Sequence, residues 1–120
     1  MSATEIKELI QTYFDACYES KGEEMAKVFH PAAHIYGLDE SGTLIDMSRD
    51  IFMTVVGSQN VSFPRQNEIL SIDFTGENTA VARVIVRVMN TVYTDILSFL
   101  RIDGKWGVIS KLFSGVPAQD

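Results

Sequence analysis

The last third of the chain constrains the fold most, because it holds three long β-rich runs with almost no loop between them. These runs are Thr79 to Met89, Thr91 to Ile102 and Lys105 to Ser114, and β-branched and aromatic residues are frequent in them. Each run has about 10 to 12 residues, roughly twice the usual strand length, so the predicted sheet must twist and curl. Asp103 and Gly104 predict a two-residue hairpin turn, in which both central residues take a positive φ.

The residues before this sheet predict three helices that pack against it. In the first helix the apolar residues recur at helical spacing and form one stripe: Ile6, Leu9, Ile10, Tyr13, Phe14 and Cys17. Gly22 is expected to end this helix in a left-handed C-terminal cap. A short second helix is predicted from Glu23 to Phe29, with its end set by Pro31, since proline disfavours helix in the residue before it.

Ser48 predicts the N-cap of a third helix. Its expected buried stripe is Ile51, Phe52, Val55 and Val56. Shorter strands are predicted at residues 33–38, 43–46 and 68–74. Helices first and a long antiparallel run last predict an α+β domain. We expect one domain, residues 1–120, in which three helices cover one face of a curled, cone-shaped sheet and enclose a pocket.

Charge and composition exclude several classes of partner. A net charge of −6 disfavours binding to nucleic acid and to anionic membrane surfaces.

The N-terminus lacks the basic segment followed by an apolar segment that is typical of a signal peptide. The single cysteine, Cys17, excludes an internal disulfide. We therefore expect a cytoplasmic protein. We find no glycine-rich phosphate loop, metal-ligand cluster or Ser/His/Asp signature, and therefore expect neither a cofactor nor a metal.

Both faces of the predicted last hairpin carry apolar side chains. One face is expected to hold Leu97, Phe99, Trp106 and Val108, and the other Ile96, Leu100, Ile109 and Phe113. The helices can cover only one of these faces. We therefore expect a homodimer that forms through the uncovered face of the sheet.

The order of elements and three segments resemble the nuclear-transport-factor-2-like superfamily, and within it the bacterial branch called putative lumazine-binding proteins. The segments are VFHPAAHIYG (28–37), YTDILSFLRIDGKW (93–106) and GVISKLF (107–113). The resemblance covers nearly the whole chain and implies a cystatin-like cone fold. It does not imply one activity, because this fold hosts ketosteroid isomerase, scytalone dehydratase, polyketide cyclases and proteins without a known reaction.

The resemblance to ketosteroid isomerase can be carried over residue by residue. An ungapped alignment on VFHPAAHIYG places that enzyme's oxyanion-hole tyrosine on Tyr13, its general base on Gly37 and its second oxyanion donor on Ser98. Glycine cannot abstract a proton. The resemblance therefore argues against a steroid isomerase of that mechanism.

Three residues are candidates for catalysis. Tyr13 can direct a hydroxyl into the pocket, or it can be a core tyrosine with its hydroxyl at the rim. His34 can shuttle protons, or it can pack at the pocket edge. Lys111 can act as a base or anchor an anionic ligand, or it can be an interface residue with its stem along apolar surface. Counting from the hairpin turn places Asp95 and Lys111 on opposite faces of the sheet.

Three functional hypotheses remain open. The leading one is a small-molecule-binding domain for an apolar or aromatic metabolite, with a pocket lined by Tyr13, Phe14, Tyr36, Phe52, Tyr93 and Lys111. The second is a cofactor-independent isomerase, dehydratase or cyclase acting on a small carbonyl compound, with His34 or Lys111 as base and Tyr13 as oxyanion donor. The third is a dimerisation module whose pocket is only packing.

Overall fold

A computed structural model gives the fold and describes residues 2–59 and 62–119. The helical elements are α1 (Ser2–Glu19), a short 3₁₀ helix (Gly22–Lys27) and α2 (Arg49–Gly57). The strands are β1 (Phe29–Leu38), β2 (Leu44–Ser48), β3 (Asn67–Phe74), β4 (Thr79–Val88), β5 (Thr91–Ile102) and β6 (Lys105–Pro117).

The six strands form one mixed, curled sheet in the order β2-β1-β6-β5-β4-β3. Only β1 and β6 run parallel, and every other neighbouring pair is antiparallel. The turn at Asp103 and Gly104 has φ values of 52° and 78°, and Ile102 pairs with Lys105 across it. The helices pack on one side of the sheet, which confirms the predicted α+β class.

The first helix ends earlier than predicted. Its apolar stripe is buried as expected, but α1 stops at Glu19, and Ser20 rather than Gly22 takes the left-handed conformation, with φ 56°. Gly22 has another role. A Cβ at this position would overlap the backbone carbonyl oxygen of Met53, so glycine lets the 3₁₀ helix approach α2 closely.

The second helix is also shorter than predicted. The 3₁₀ helix ends at Lys27, and Phe29 already belongs to β1. Tertiary pairing overrides the local helical pattern here, because the backbone N–H of Val108 in β6 donates to the carbonyl of Val28 at 2.8 Å. The strand bonds of β1 therefore begin before Pro31.

Helix α2 begins where the sequence predicts. The hydroxyl of Ser48 accepts a hydrogen bond from the backbone N–H of Ile51 at 3.3 Å, the usual arrangement of an N-cap. Phe52 and Val56 are buried as expected, but Ile51 is 55% exposed and Val55 is 40% exposed. The helix therefore buries a narrower stripe than predicted.

A bulge in β6 changes the predicted register of the last hairpin. Phe99 pairs with Val108 and Ser98 pairs with Ser110, so Ile109 is an extra residue in β6. One extra residue reverses which face the following side chains occupy. Lys111 and Phe113 therefore share the helix-covered face with Asp95. The prediction that Asp95 and Lys111 point to opposite faces is wrong, and so is the placement of Phe113 with Ile96.

We call the helix-covered side of the sheet the inner face and the opposite side the outer face. The inner face carries the buried core, which includes Leu97, Phe99 and Val108. The outer face exposes Ile96 and Leu112, which pair directly across β5 and β6. In the described part of the chain no helix has the length and apolar character needed to cross a membrane.

Candidate functional site in the cavity between helices and sheet

A cavity of about 100 Å³ lies between α1, α2 and the inner face of the sheet. Its lining is mainly aliphatic and aromatic, with a few polar groups: Tyr13, Cys17, Ile35, Met47, Phe52, Val55, Val56, Gln59, Val86, Val88, Tyr93, Lys111 and Phe113. An apolar concave site with a few polar groups is the usual form of a small-molecule site.

Three polar side chains from three elements meet beside this cavity, and we call them the polar triad. The Tyr13 hydroxyl in α1 donates to Asp95 Oδ2 in β5 at 2.5 Å. The Lys111 ammonium in β6 donates to the Tyr13 hydroxyl oxygen at 2.8 Å. Lys111 Nζ also lies 3.9 Å from Asp95 Oδ2. A continuous hydrogen-bonded path thus leads from the amino group at the cavity wall to a carboxylate behind it.

The polar triad is buried. The Asp95 side chain is 1% exposed and that of Lys111 is 7% exposed. Asp95 Oδ1 has no hydrogen-bond partner among the described residues. Charged groups are rarely so deeply buried unless they are paired, and the site therefore holds charge at a high desolvation cost.

Burial is the largest cause of the pKa shifts of Asp95, Tyr13 and Cys17. It raises the pKa of the Asp95 carboxyl, although the nearby Lys111 charge and the Tyr13 hydrogen bond act in the lowering direction. Burial, followed by the charge of Asp95, raises the pKa of the Tyr13 hydroxyl well above its ordinary value. Burial also raises the pKa of the Cys17 thiol to about 12, which makes this cysteine a poor nucleophile.

Aromatic rings surround the Lys111 ammonium. Nζ lies 4.2 Å from the centroid of the Phe52 ring, 5.1 Å from that of Tyr13 and 5.9 Å from that of Phe113. Such ring faces attract a cation electrostatically. They hold the amino group at the cavity wall without using its N–H donors.

The structure brings together four of the six predicted pocket residues. Tyr13, Phe52, Tyr93 and Lys111 line the cavity. Phe14 is buried beside Tyr13, with ring centroids 6.1 Å apart, but it does not line the cavity.

Tyr36 and His34 lie on the outer face, away from the cavity. Their neighbour Ile35 is fully buried and pairs with Lys111 on the inner face, and strand alternation therefore turns His34 and Tyr36 outward. His34 Nδ1 lies 2.6 Å from Asp46 Oδ1 at the surface, and its ring stacks on Tyr36 at 5.9 Å. The expectation that Tyr36 lines the pocket and His34 packs at its edge is corrected by this alternation.

Sequence reasoning missed one polar residue of the site, Gln59, and misjudged the neighbours of another, Asp95. Gln59 follows α2, and its Oε1 is buried without a hydrogen-bond partner in the described part of the chain. The sequence assigned this residue to a loop and offered no signal for it. Asp95 was recognised as a mid-strand carboxylate, but only the β6 bulge reveals that it joins Tyr13 and Lys111.

The alignment with ketosteroid isomerase places the general base of that enzyme on Gly37 and its second oxyanion donor on Ser98. Neither residue occupies a position in this structure that suits the role. Gly37 packs against the ring of Phe113, and Ser98 pairs with Ser110 outside the polar triad. The carboxyl that accompanies the Tyr13 hydroxyl is Asp95. No group of three or more His, Cys, Asp or Glu side chains that could hold a metal ion occurs among residues 2–59 and 62–119.

Comparisons with known proteins give the family and the fold. The chain is 28% identical over 108 residues to a protein named aldolase FrzH from a Cladobotryum species, with 88% of this chain and 84% of that protein covered. An NTF2-like protein of unknown function from Methylobacillus flagellatus is 29% identical, with a TM-score of 0.84 over 96% of this chain and 92% of that one.

A second solved structure, an NTF2-like protein of unknown function from Shewanella baltica, has a TM-score of 0.89 at 24% identity, with 98% of this chain and 95% of that one covered. At this identity the likeness concerns the fold. The family model described as "Putative lumazine-binding" matches residues 2–114. The chain therefore belongs to this putative lumazine-binding family, within the NTF2-like superfamily.

Proposed function

We propose that this protein binds a small apolar or aromatic carbonyl compound in the cavity between α1, α2 and the sheet. The observation that carries the proposal is Lys111. An ammonium group has three N–H donors, and in the described residues Lys111 uses one of them, on Tyr13. Buried donors are normally satisfied, and a ligand oxygen in the cavity would satisfy a further one.

The size of the cavity restricts the ligand. Pockets for drug-sized molecules have volumes of about 300 to 1,000 Å³, whereas this cavity has about 100 Å³. A compound with one ring fits better than a larger fused system. The lining of Phe52, Tyr93 and Phe113 suits a flat, apolar ring.

Gln59, which also lines the cavity, supports the same proposal. Its unpartnered Oε1 is buried and lines the cavity, and an unsatisfied buried polar group costs about 1 to 3 kcal/mol. A ligand that accepts a hydrogen bond from Lys111 and donates an N–H to Gln59 Oε1 would remove this cost. Aromatic amides combine a carbonyl and an N–H on one polar edge with an apolar body.

A second candidate function is cofactor-independent catalysis on a small carbonyl compound. The hydrogen-bonded path through Lys111, Tyr13 and Asp95 can move protons at the cavity wall, and the relative from Cladobotryum is named an aldolase. Isomerisation, dehydration, cyclisation and aldol chemistry all need such acid–base groups. The outward position of His34 favours Lys111 over His34 as the base.

We also propose a homodimer through the outer face, in a cytoplasmic protein. Ile96 and Leu112 form an exposed apolar pair there, and Tyr36 lies beside Leu112 across β1 and β6. A second copy of the chain would cover this surface. If the cavity binds nothing, dimerisation is the remaining role.

The location in the cytoplasm is proposed from Cys17. This lone, unpaired cysteine suits a reducing compartment.

Calorimetric titration with benzamide tests the binding proposal. Benzamide has one ring and one carbonyl group, and its binding should raise the melting temperature. Lys111→Met should weaken the affinity at least about tenfold, the size of one lost hydrogen bond to a charged group. Lys105→Met is the matched control, because Lys105 is an exposed lysine on the same strand. Equal affinity in both variants, or no binding by the parent protein, would contradict the proposal. Lumazine titrated in parallel tests whether a fused ring fits.

A further inference from the structure

We propose that the Lys111 amino group reacts with the carbonyl carbon of the bound compound and forms a Schiff base. This inference rests on the proposed function and makes it more specific, since it limits the covalent ligands to aldehydes and ketones. It follows from the surroundings of one nitrogen atom and from the groups that can move its protons.

Lys111 differs from every other lysine of the chain. Lys7, Lys21, Lys27 and Lys105 are exposed to solvent, whereas Lys111 is buried at the wall of the cavity. Its Nζ lies 4.2 Å from the centroid of the Phe52 ring. A lysine in such an apolar site is the type of residue that forms Schiff bases with carbonyl substrates.

The polar triad supplies a path for the proton that the amine must lose. The Lys111 ammonium can pass a proton to the Tyr13 hydroxyl oxygen at 2.8 Å while Tyr13 passes its own proton to Asp95 Oδ2 at 2.5 Å. Burial raises the pKa of Asp95, which helps this carboxyl to hold the proton. The result is a neutral amine beside the cavity.

The reaction then balances without any other reactant. The lone pair of Nζ forms a bond to the carbonyl carbon, and a proton moves from nitrogen to oxygen to give a carbinolamine. Asp95 returns its proton through Tyr13 to the hydroxyl group, the C–O bond breaks, and water leaves. Ammonium and carbonyl compound thus become a protonated imine and one water molecule, while Tyr13 and Asp95 return to their initial states.

Reductive trapping with benzaldehyde tests the inference. The protein is incubated with benzaldehyde and cyanoborohydride, which reduces an imine to a stable secondary amine, and intact-mass and peptide mass spectrometry locate the added group. We expect one addition, on Lys111, and its suppression by excess benzamide. Lys105→Met should be labelled on Lys111 like the parent protein, whereas Lys111→Arg, which retains a cation, should lose this addition.

The two hydrogen-bonded partners are tested by rate. Tyr13→Phe and Asp95→Asn should slow the labelling of Lys111 roughly 100-fold, as expected for lost acid–base assistance, while benzamide affinity changes much less. A merely structural role would alter both to the same extent. Equal labelling rates in parent and variants would overturn the proton path.

The outcomes separate the inference from the function on which it rests. If benzamide binds but benzaldehyde labels Lys111 no faster than the exposed lysines, the Schiff base is wrong and the binding site stands. If benzamide does not bind, the proposed function fails. Labelling of Lys111 that benzamide does not suppress would also overturn the inference, because the reaction would then not require the cavity.

Discussion

Lys111 Nζ lies 2.8 Å from the hydroxyl oxygen of Tyr13, although 97 residues separate the two along the chain and they belong to a strand and a helix. The contact depends on the extra residue Ile109 in β6. Without this bulge the alternation of the strand would direct Lys111 to the outer face. A local irregularity next to a candidate site is a common feature of sheets, since a bulge can reorient a side chain.

The Tyr13 hydroxyl connects the two charged members of the polar triad. Tyr13→Phe removes the donor to Asp95 Oδ2 and the acceptor for Lys111. We expect the free energy of unfolding to fall by about 1 to 3 kcal/mol, because a buried group loses its partner. Chemical denaturation measures this loss. Tyr18→Phe is the control, since Tyr18 lies on the same helix but is exposed, and it should change stability by less than about 0.5 kcal/mol. Equal effects of the two substitutions would contradict the role of the hydroxyl.

Asp95 should give the stability of the protein a specific pH dependence. Burial raises its pKa in the folded state above the ordinary value of 3.8, so the unfolded state loses this proton first as the pH rises. The contribution of Asp95 to the free energy of unfolding therefore falls between the unfolded and the folded pKa.

Asp95→Asn removes this titration. The stability of the variant relative to the parent should therefore increase as the pH rises above about 4, up to the raised pKa of folded Asp95. Urea denaturation of both proteins across this range measures the difference. Asp39→Asn is a useful comparison, because hydrogen bonds from Ser41 and Thr43 lower the pKa of Asp39 below its ordinary value of 3.8. Its effect should have the opposite sign and appear only below about pH 4, with little change above it. A relative stability of Asp95→Asn that decreases with pH would show that the folded pKa of Asp95 is lowered instead.

Much of the fold could be predicted from local sequence patterns. The long runs of β-branched residues, the Asp103-Gly104 turn and the Ser48 cap depend on neighbouring residues, and the structure confirms them. The β6 bulge depends on how β6 fits between β1 and β5. No local signal marks Ile109 as the extra residue, and the faces of Lys111 and Phe113 were therefore predicted incorrectly.

The residues of the candidate site also differ in whether local sequence patterns predict their position. Tyr13 and Phe52 were predicted in the cavity from helical spacing, and Tyr93 and Lys111 from family motifs as well as strand position. Tyr36 was not placed correctly, because the face of β1 is set by its parallel pairing with β6. Gln59 follows α2 in irregular backbone, for which periodicity gives no direction.

The contact between the 3₁₀ helix and α2 should tolerate no side chain at Gly22. A Cβ there would overlap the carbonyl oxygen of Met53, which is backbone and cannot rotate away. We expect Gly22→Ala to lower the free energy of unfolding by about 1 to 3 kcal/mol, as overpacked sites do. Thermal or chemical denaturation tests this expectation.

Gly57→Ala is the matched control, because Gly57 faces Gly22 from the other side of the same contact. A Cβ on Gly57 would lie 3.7 Å from the backbone nitrogen of Gly22, which is ordinary contact distance. Gly57 is the last residue of α2, and alanine favours helix over glycine by about 0.5 to 1 kcal/mol. Gly57→Ala should therefore be neutral or slightly stabilising. A larger loss for Gly57→Ala than for Gly22→Ala would contradict the packing of these two segments.

The proposed dimer predicts that charge on the outer face separates the subunits. Ile96 is 37% exposed and Leu112 is 49% exposed, and they are direct cross-strand partners, so a carboxylate on either would be buried against the second copy without a partner. Light scattering coupled to size exclusion should show a dimer for the parent and a monomer for Ile96→Glu and for Leu112→Glu. Ile51→Glu is the control, since Ile51 is 55% exposed on α2, on the opposite side of the sheet, and this variant should remain dimeric. A monomeric parent protein, or dimers that survive both outer-face substitutions, would show that this face is not the interface.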